Sequence, residues 1–421
     1  MDSVAEFLDQ AASFPINSAA RKRLEKRRAL GAPFPDMHIT SAMDTKFQPH
    51  MSRIVAPLLI GITALLHCYQ ARASEVRIVC HNDAGDAARI NTAIEGSKAG
   101  DEIVFSGTAL LNQTIKLRGE RSYRGESRAG TVLRQADGAN LVALLASDRF
   151  LDNSPTTGLP VSIAHLKLVG NHANNKIPTC GIILRSWLSV VDDVEVRSMG
   201  GDGLRVTSLS ANGTKLTNHQ VNGRISNCFI TDSGHHGIFV EDPGNSCTDW
   251  MLSDNWIAQS GVDGIHLDNA AGWYIERNHV YGVSQNAIFA NRAYATSITS
   301  NYIEGFGENQ TPGRYYGIGL TLQGNIGSTV SDNRIFSISG GKNAKSTYSS
   351  IGVVQVNYQD GYVNIHGNTL RGTGASNFIG VNYAKGKAEN TSLNITSFGN
   401  SISNMGTPCL MEKGVVLSPG I

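Results

Sequence analysis

An Asn recurs seven times in the frame x-Asn-x-apolar, at Asn227, Asn255, Asn278, Asn301, Asn333, Asn368 and Asn400, each a few residues after a short alternating run. The intervals are 28, 23, 23, 32, 35 and 32 residues. Alternation of period two inside a repeat of this length describes a coil of about 22 residues with insertions in some loops, and stacked coils make a solenoid. One lap runs from Cys247 to Asn269. Trp250 and Leu252 alternate, Asn255 turns the chain, Ile257 follows, Ser260-Gly261 turns it again, and Ile265 and Leu267 alternate. Three short strands separated by polar turns make one coil.

Winding pairs each strand in parallel with its counterpart one coil away and leaves sheet edges only at the two ends. Ile, Val and Leu then fill the interior. Identical Asn side chains stacked about 4.8 Å apart can bond to one another and to buried backbone, so the recurring Asn reads as structural and not catalytic.

The Asn column, the Gly-Ile strands and the N-terminal region resemble the right-handed parallel β-helix of the pectin-lyase-like superfamily over roughly residues 76–405. The fold class expected is therefore all-β, a right-handed parallel β-helix solenoid with a short N-terminal capping helix. Asp86 to Glu95, with Ile90, Ala93 and Ile94 on one face, is similar to that cap, and Gly100 to Gly107 to the first strand and turn. These motifs specify a fold and leave the substrate open.

With 45 Gly and 17% charged residues the chain is ordinary for a turn-rich β protein. A net charge of +1 gives no sign of a nucleic-acid partner, and the basic run Arg21-Lys22-Arg23 with Lys26-Arg27-Arg28 lies outside the repeats as a solvated charge run. From Met51 the chain shows a basic Arg53, a 13-residue apolar run from Ile54 to Leu66, and Ala71-Arg72-Ala73 before Ser74. That is the pattern of a secretory signal peptide, too short for a stable membrane anchor. The expected organisation is residues 1–50 as an unstructured extension or over-called start, 51–73 as the signal, and 74–421 as one β-helix domain, secreted or periplasmic. Five cysteines then remain, Cys80, Cys180, Cys228, Cys247 and Cys409, without metal-type spacing, and Cys228 with Cys247 is a candidate disulfide.

Stacking the strands by their first inward residue, Leu204, Ile238, Ile265, Ile288 and Ile318, sets the outward rows. One holds Arg205, Phe239, His266, Phe289 and Gly319. The next holds Thr207, Glu241, Asp268, Asn291 and Thr321. Just ahead of the strands lie Asp202, His236, Asp263, Asn286 and Tyr316. Glu241 and Asp268 fall about 5 Å apart on adjacent coils, a spacing that suits the two carboxyl groups of a retaining glycosidase. His266, between Phe239 and Phe289, is placed as a general acid or base near neutral pH. The catalytic set expected is Glu241, Asp268 and His266, with Arg205, Phe239, Asn291, Arg292, Asp263, His236 and Tyr316 binding substrate. A long insertion from Glu304 to Tyr316, carrying Phe306, Arg314 and Tyr315, and another from Ser337 to Ser350 would wall a groove over this face. A separate aromatic stripe follows the Asn column: Cys228, Trp256, His279, Tyr302 and Arg334.

These residues lead to a secreted carbohydrate-active enzyme that cleaves or rearranges a polysaccharide. Gly234-His235-His236-Gly237 and Val262-Asp263-Gly264-Ile265 are superficially similar to polygalacturonase motifs, but they come in reverse order and the partner motifs are missing. Similarity to pectate lyases implies a uronate lyase or epimerase with Arg205, His266 or Arg292 at the substrate. It also implies calcium, for which Glu241, Asp242 and Asp268 come close to a ligand cluster without completing one. No other cofactor or metal is expected. A weaker similarity, from Ala271 to Val283 and Asn301 to Gly307, is to inulin fructotransferases and implies a neutral sugar. A non-catalytic glycan-binding adhesin is the reading from another class. Trimers are frequent in the family, so a homotrimer is implied by resemblance alone.

Overall fold

The computed structural model describes residues 74–309, 311–337, 343–387 and 391–420. The extension and the signal-like segment lie outside the described residues, as does part of the Ser337 to Ser350 insertion.

Three strands per coil arise as the alternation requires. A 22-stranded sheet holds the strand series on both sides of the Asn bend, and an 11-stranded sheet holds the third. Coil stacks on coil in parallel: Met251–Ser253 pairs with Tyr274–Glu276, Trp256–Ala258 with His279–Tyr281, and Ile265–Leu267 with the next coil from Ile288. Leu204, Ile238, Ile265, Ile288 and Ile318 are in register and buried, as their alternation predicts. Trp250 and Trp273 stack inside with ring centroids 5.9 Å apart, and their indole N–H groups reach the carbonyls of Gln220 and Cys247. Helix α1 (Asp86–Gly96) turns Ala87, Ile90 and Ile94 onto the N-terminal end of the core. Buried Asp86 anchors it by accepting the N–H groups of His81, Asp83 and Leu110.

The Asn column is a hydrogen-bonded ladder. Asn255, Asn278, Asn301, Asn333 and Asn368 are buried, and each donates its side-chain N–H to the Oδ1 of the Asn one coil on, at 2.9 to 3.0 Å, ending on Asn400. Each also donates to a backbone carbonyl, as Asn278 does to Leu252.

Asn227 departs from the sequence frame by one residue. Phe229 pairs with Trp256, so Cys228 and not Asn227 stands at the level of Asn255, whose Oδ1 accepts the Cys228 N–H. Asn227 instead takes the left-handed bend (φ 55), the position held by Asp254 (φ 60), Arg277 (φ 54) and Ser300 (φ 58) on later coils. Asn tolerates that region better than most residues, so an Asn at the bend mimics an Asn in the ladder. The outward aromatic stripe accordingly starts at Phe229 and not at Cys228. Cys228 and Cys247 are separate buried thiols, so the candidate disulfide is not formed.

Candidate functional site

Five strands of the 11-stranded sheet carry the candidate residues: β1 (Leu204–Thr207), β2 (Ile238–Glu241), β3 (Ile265–Leu267), β4 (Ile288–Ala293) and β5 (Arg314–Leu322). Their register makes Arg205, Phe239, His266, Phe289 and Gly319 one outward row. Thr207 and Glu241 are paired in the next.

The residues just ahead of the strands form a second polar ladder. His236 N–H donates to Asp202 Oδ1 (3.1 Å), Asp263 N–H to His236 Nδ1 (3.3 Å), Asn286 N–H to Asp263 Oδ1 (2.7 Å) and Tyr316 N–H to Asn286 Oδ1 (2.9 Å). A small residue follows each of them. At Gly237 a Cβ would lie 2.4 Å from Ile257 Cγ2 and 2.6 Å from the Gly264 carbonyl, so the chain turns there only without a side chain.

Two Asp–His pairs stand along this ladder. His235 Nδ1 lies 2.8 Å from Asp202 Oδ1, and His266 Nδ1 lies 2.6 Å from Asp263 Oδ2. His236 sits between them, its ring centroid 4.2 Å from that of His235 and 4.8 Å from that of His266. Asp202 is fully buried. Burial alone would raise its pKa, but the His235 hydrogen bond and the Arg205 charge bring it below the ordinary value.

The imidazoles are driven apart in the same way. Burial lowers His236 to about 4 in spite of Asp263 and Asp202. Burial also opposes the charged form of His266, yet its bonds to Asp263 and Asp268 prevail and raise it to about 9. Its Nε2 is 3.5 Å from Asp268 Oδ1, and Phe239 and Phe289 flank the ring, each with its centroid 5.6 Å away. That flanking is what the row alignment predicts.

Glu241 and Asp268 are each tied to a cation on this face. Glu241 Oε2 accepts the Thr207 hydroxyl at 2.8 Å and lies 3.5 Å from Arg205 Nη1, while Asp268 faces His266. Arg205 also lies over Phe239, 5.5 Å from the ring centroid. Asn291 Oδ1 accepts the Thr321 hydroxyl. Arg292 donates to the carbonyls of Asp268, Gly244 and Asp242, clamping the loop after β2.

The loop aromatics differ from expectation. Phe306 and Tyr315 are buried around Tyr348, continuing an inward stack to Phe378, because Tyr315 pairs with Tyr348 and Tyr348 with Phe378. Tyr316 is also buried and lies along the outer face, where a Cβ on Gly352 would come within 2.4 Å of its ring. It borders a cavity of about 530 Å³ with Arg314, Ser349 and Asn382.

Asp242 is buried, its Oδ2 accepting the N–H groups of Ser246 and Cys247 and the Asn269 amide, and among the described residues Glu241, Asp242 and Asp268 do not come together as a metal-type group. Asp202, His235 and His236 form one compact group and His236, Asp263 and His266 another. Both need a lone pair on His236, but the Asp263 N–H occupies Nδ1, which leaves the neutral ring's proton on Nε2.

Asp202 and His235 are the residues that sequence reasoning left out of the site. The signal was present: Asp202 and Arg205 repeat the three-residue offset of Asp263 and His266, and both offsets are ion pairs.

No family model and no curated protein sequence matches the chain. Solved structures do. The A-module of mannuronan C-5 epimerase AlgE4 of Azotobacter vinelandii matches with a TM-score of 0.53 at 16% identity, covering 84% of this chain and 99% of that one. The tailspike of E. coli bacteriophage HK620 matches with a TM-score of 0.55 at 12% identity, over 81% of this chain and 64% of that one. The catalytic domain of a GH87 alpha-1,3-glucanase matches with 0.51 at 13% identity, over 83% and 69%. The fold is a right-handed parallel β-helix. On this β-helix the two Asp–His pairs share one face with Glu241, Asp268 and Arg205.

Proposed function

We propose that the protein is a secreted or periplasmic polysaccharide-acting enzyme that performs acid–base chemistry on the outward face of β1 to β4. The observation that carries the reading is the pair of Asp–His dyads on this face, one half-buried between aromatic rings and one open. His266 is the proton donor, since its two nitrogens face carboxylates and its charged form is favoured at neutral pH. His235 is the base: its side chain is 48% exposed and Asp202 holds its Nδ1, which directs the Nε2 lone pair to solvent. Arg205, Phe239 and Asn291 lie where a sugar chain would cross the face. The similar structures named for a mannuronan epimerase and an alpha-1,3-glucanase support a polysaccharide substrate.

Within that class, the base His235 beside the Arg205 cation suits proton abstraction next to a uronate carboxylate. The second reading is glycosidic cleavage by Glu241 and Asp268, favoured by their place on neighbouring outward strand ends.

Incubating the chain from Ser74 with neutral and uronate polysaccharides, with and without chelator, then weighing the products and recording their proton NMR spectra, which distinguish epimers of equal mass, separates the two. Unsaturated or epimerised uronates support the first and neutral oligosaccharides the second. His235→Asn and His266→Asn should each lower turnover by about 10²- to 10⁴-fold with the fold intact. Loss only in Glu241→Gln/Asp268→Asn would move the chemistry to the carboxylates. Binding of glycan without any product would make the protein an adhesin.

A further inference from the structure

Asp263 touches the two imidazoles beside it through different groups. Its Oδ2 faces His266 Nδ1 at 2.6 Å, whereas its backbone N–H points at His236 Nδ1 at 3.3 Å. The first contact requires a proton on Nδ1, because a carboxylate only accepts, and His266 Nε2 faces a second carboxylate, Asp268 Oδ1, at 3.5 Å, so both ring nitrogens of His266 meet acceptors. The second requires that His236 Nδ1 carry none, because an amide N–H only donates. We propose that Asp263 is a positioning residue that holds its two neighbouring histidines in opposite protonation states, His266 as the imidazolium and His236 as the neutral Nε2–H tautomer.

The fold leaves Asp263 little freedom to do otherwise. It is buried, and its remaining oxygen, Oδ1, accepts both the backbone N–H and the side-chain amide of Asn286, at 2.7 and 2.9 Å. Around His266 the charged and titratable groups are Asp263, Asp268 and His236. Around His236 they are Asp202, Asp263, His235 and His266, with Arg205 on the far oxygen of Asp202. Two imidazolium rings 4.8 Å apart would repel. Keeping His236 neutral therefore protects the charge on His266. The shifts of the two rings, down to about 4 and up to about 9, run in the direction this geometry demands. The inference rests on the acid–base reading only for its catalytic meaning, since the protonation split can be seen without substrate.

The test is nitrogen-detected NMR of the histidine rings in the chain from Ser74. At neutral pH, His236 should show a bare Nδ1 and a protonated Nε2, and His266 two protonated nitrogens. In Asp263→Asn the side-chain carbonyl can still accept from Asn286 and the backbone N–H still reaches His236, but the charge facing His266 is gone. The His266 midpoint should then fall by about 1 to 2 pH units, while the His236 tautomer stays. Asp268→Asn, which removes the longer contact, should give a smaller fall. An unchanged His266 midpoint in Asp263→Asn, or a protonated Nδ1 on His236 in the unaltered protein, overturns the proposal. Should Asp263→Asn fail to fold, the tautomers in the unaltered protein decide alone. If the spectra are as described and turnover ignores the His266 midpoint, the acid–base reading fails and the positioning role stands.

Discussion

Arg205 grips a single oxygen of Asp202, with Nη2 2.6 Å and Nε 2.7 Å from Oδ2. The other oxygen receives His235 Nδ1 and the His236 N–H. Asp202 is fully buried, so its charge depends on these partners. Arg205→Met should destabilise the protein by about 3 kcal/mol in urea unfolding, because it strands a buried carboxylate. Adding Asp202→Asn should recover part of that loss, since a neutral carboxamide costs less to bury. Full stability in the single variant would show that the two histidine-side contacts suffice.

Stability should peak near pH 6.5. His266 is raised from 6.5 to about 9, so its contribution is complete below pH 6.5 and is lost as the pH climbs to 9. His236 is lowered from 6.5 to about 4, so its contribution is complete above pH 6.5 and is lost as the pH falls to 4. Each limb is on the order of 3 kcal/mol. Denaturant midpoints measured across pH check this: His266→Gln should flatten the alkaline limb and His236→Gln the acid one.

Much of this arrangement was legible because a solenoid converts periodicity into position. Once Leu204, Ile238 and Ile265 are taken as one inward column, the place of His266 between Phe239 and Phe289 follows from alternation alone. What alternation does not carry is the conformation of the bends. Asn227 looks like a ladder residue and is a left-handed one, which only pairing between coils distinguishes. Nor does it tell where a side chain beyond the strand will turn. Tyr315 enters the core after a loop, and Asp242 folds under its own loop to cap the N–H groups of Ser246 and Cys247. The His235–Asp202 dyad was legible but missed: Asp202 stands in the same row ahead of the strands as His236 and Asp263, and its three-residue offset to Arg205 matches that of Asp263 to His266.

Arg292 sets a different expectation. Its guanidinium reaches three carbonyls, those of Asp242, Gly244 and Asp268, and so ties the loop after β2 to the end of β3. In Arg292→Ala the amides of Gly244, Asn245 and Ser246 should exchange with solvent faster by hydrogen exchange. Arg292→Lys should restore little, because one ammonium does not reproduce the planar fork. Unchanged exchange in both would mean that Asp242 holds the loop unaided.

The ladder predicts a ranking that also tests the bend at Asn227. Replacing Asn301 by Ala removes the acceptor of the Asn278 N–H and of its side-chain amide, and the donor to the Ile275 carbonyl, all in the interior. Orphaned buried groups cost about 1–3 kcal/mol each, so Asn301→Ala should lose roughly 3 kcal/mol or more. Asn400 closes the ladder and is only partly buried, so Asn400→Ala strands the Asn368 groups where water can reach them and should cost less than half as much. Asn227 makes no ladder contact in this scheme. Its φ of 55 suits glycine, so Asn227→Gly should be close to neutral, and Asn227→Ala should cost roughly 1 kcal/mol from the left-handed backbone. Urea midpoints give the order directly. A loss in Asn227→Gly as large as that in Asn301→Ala would return Asn227 to the ladder and shift the register of its coil by one residue.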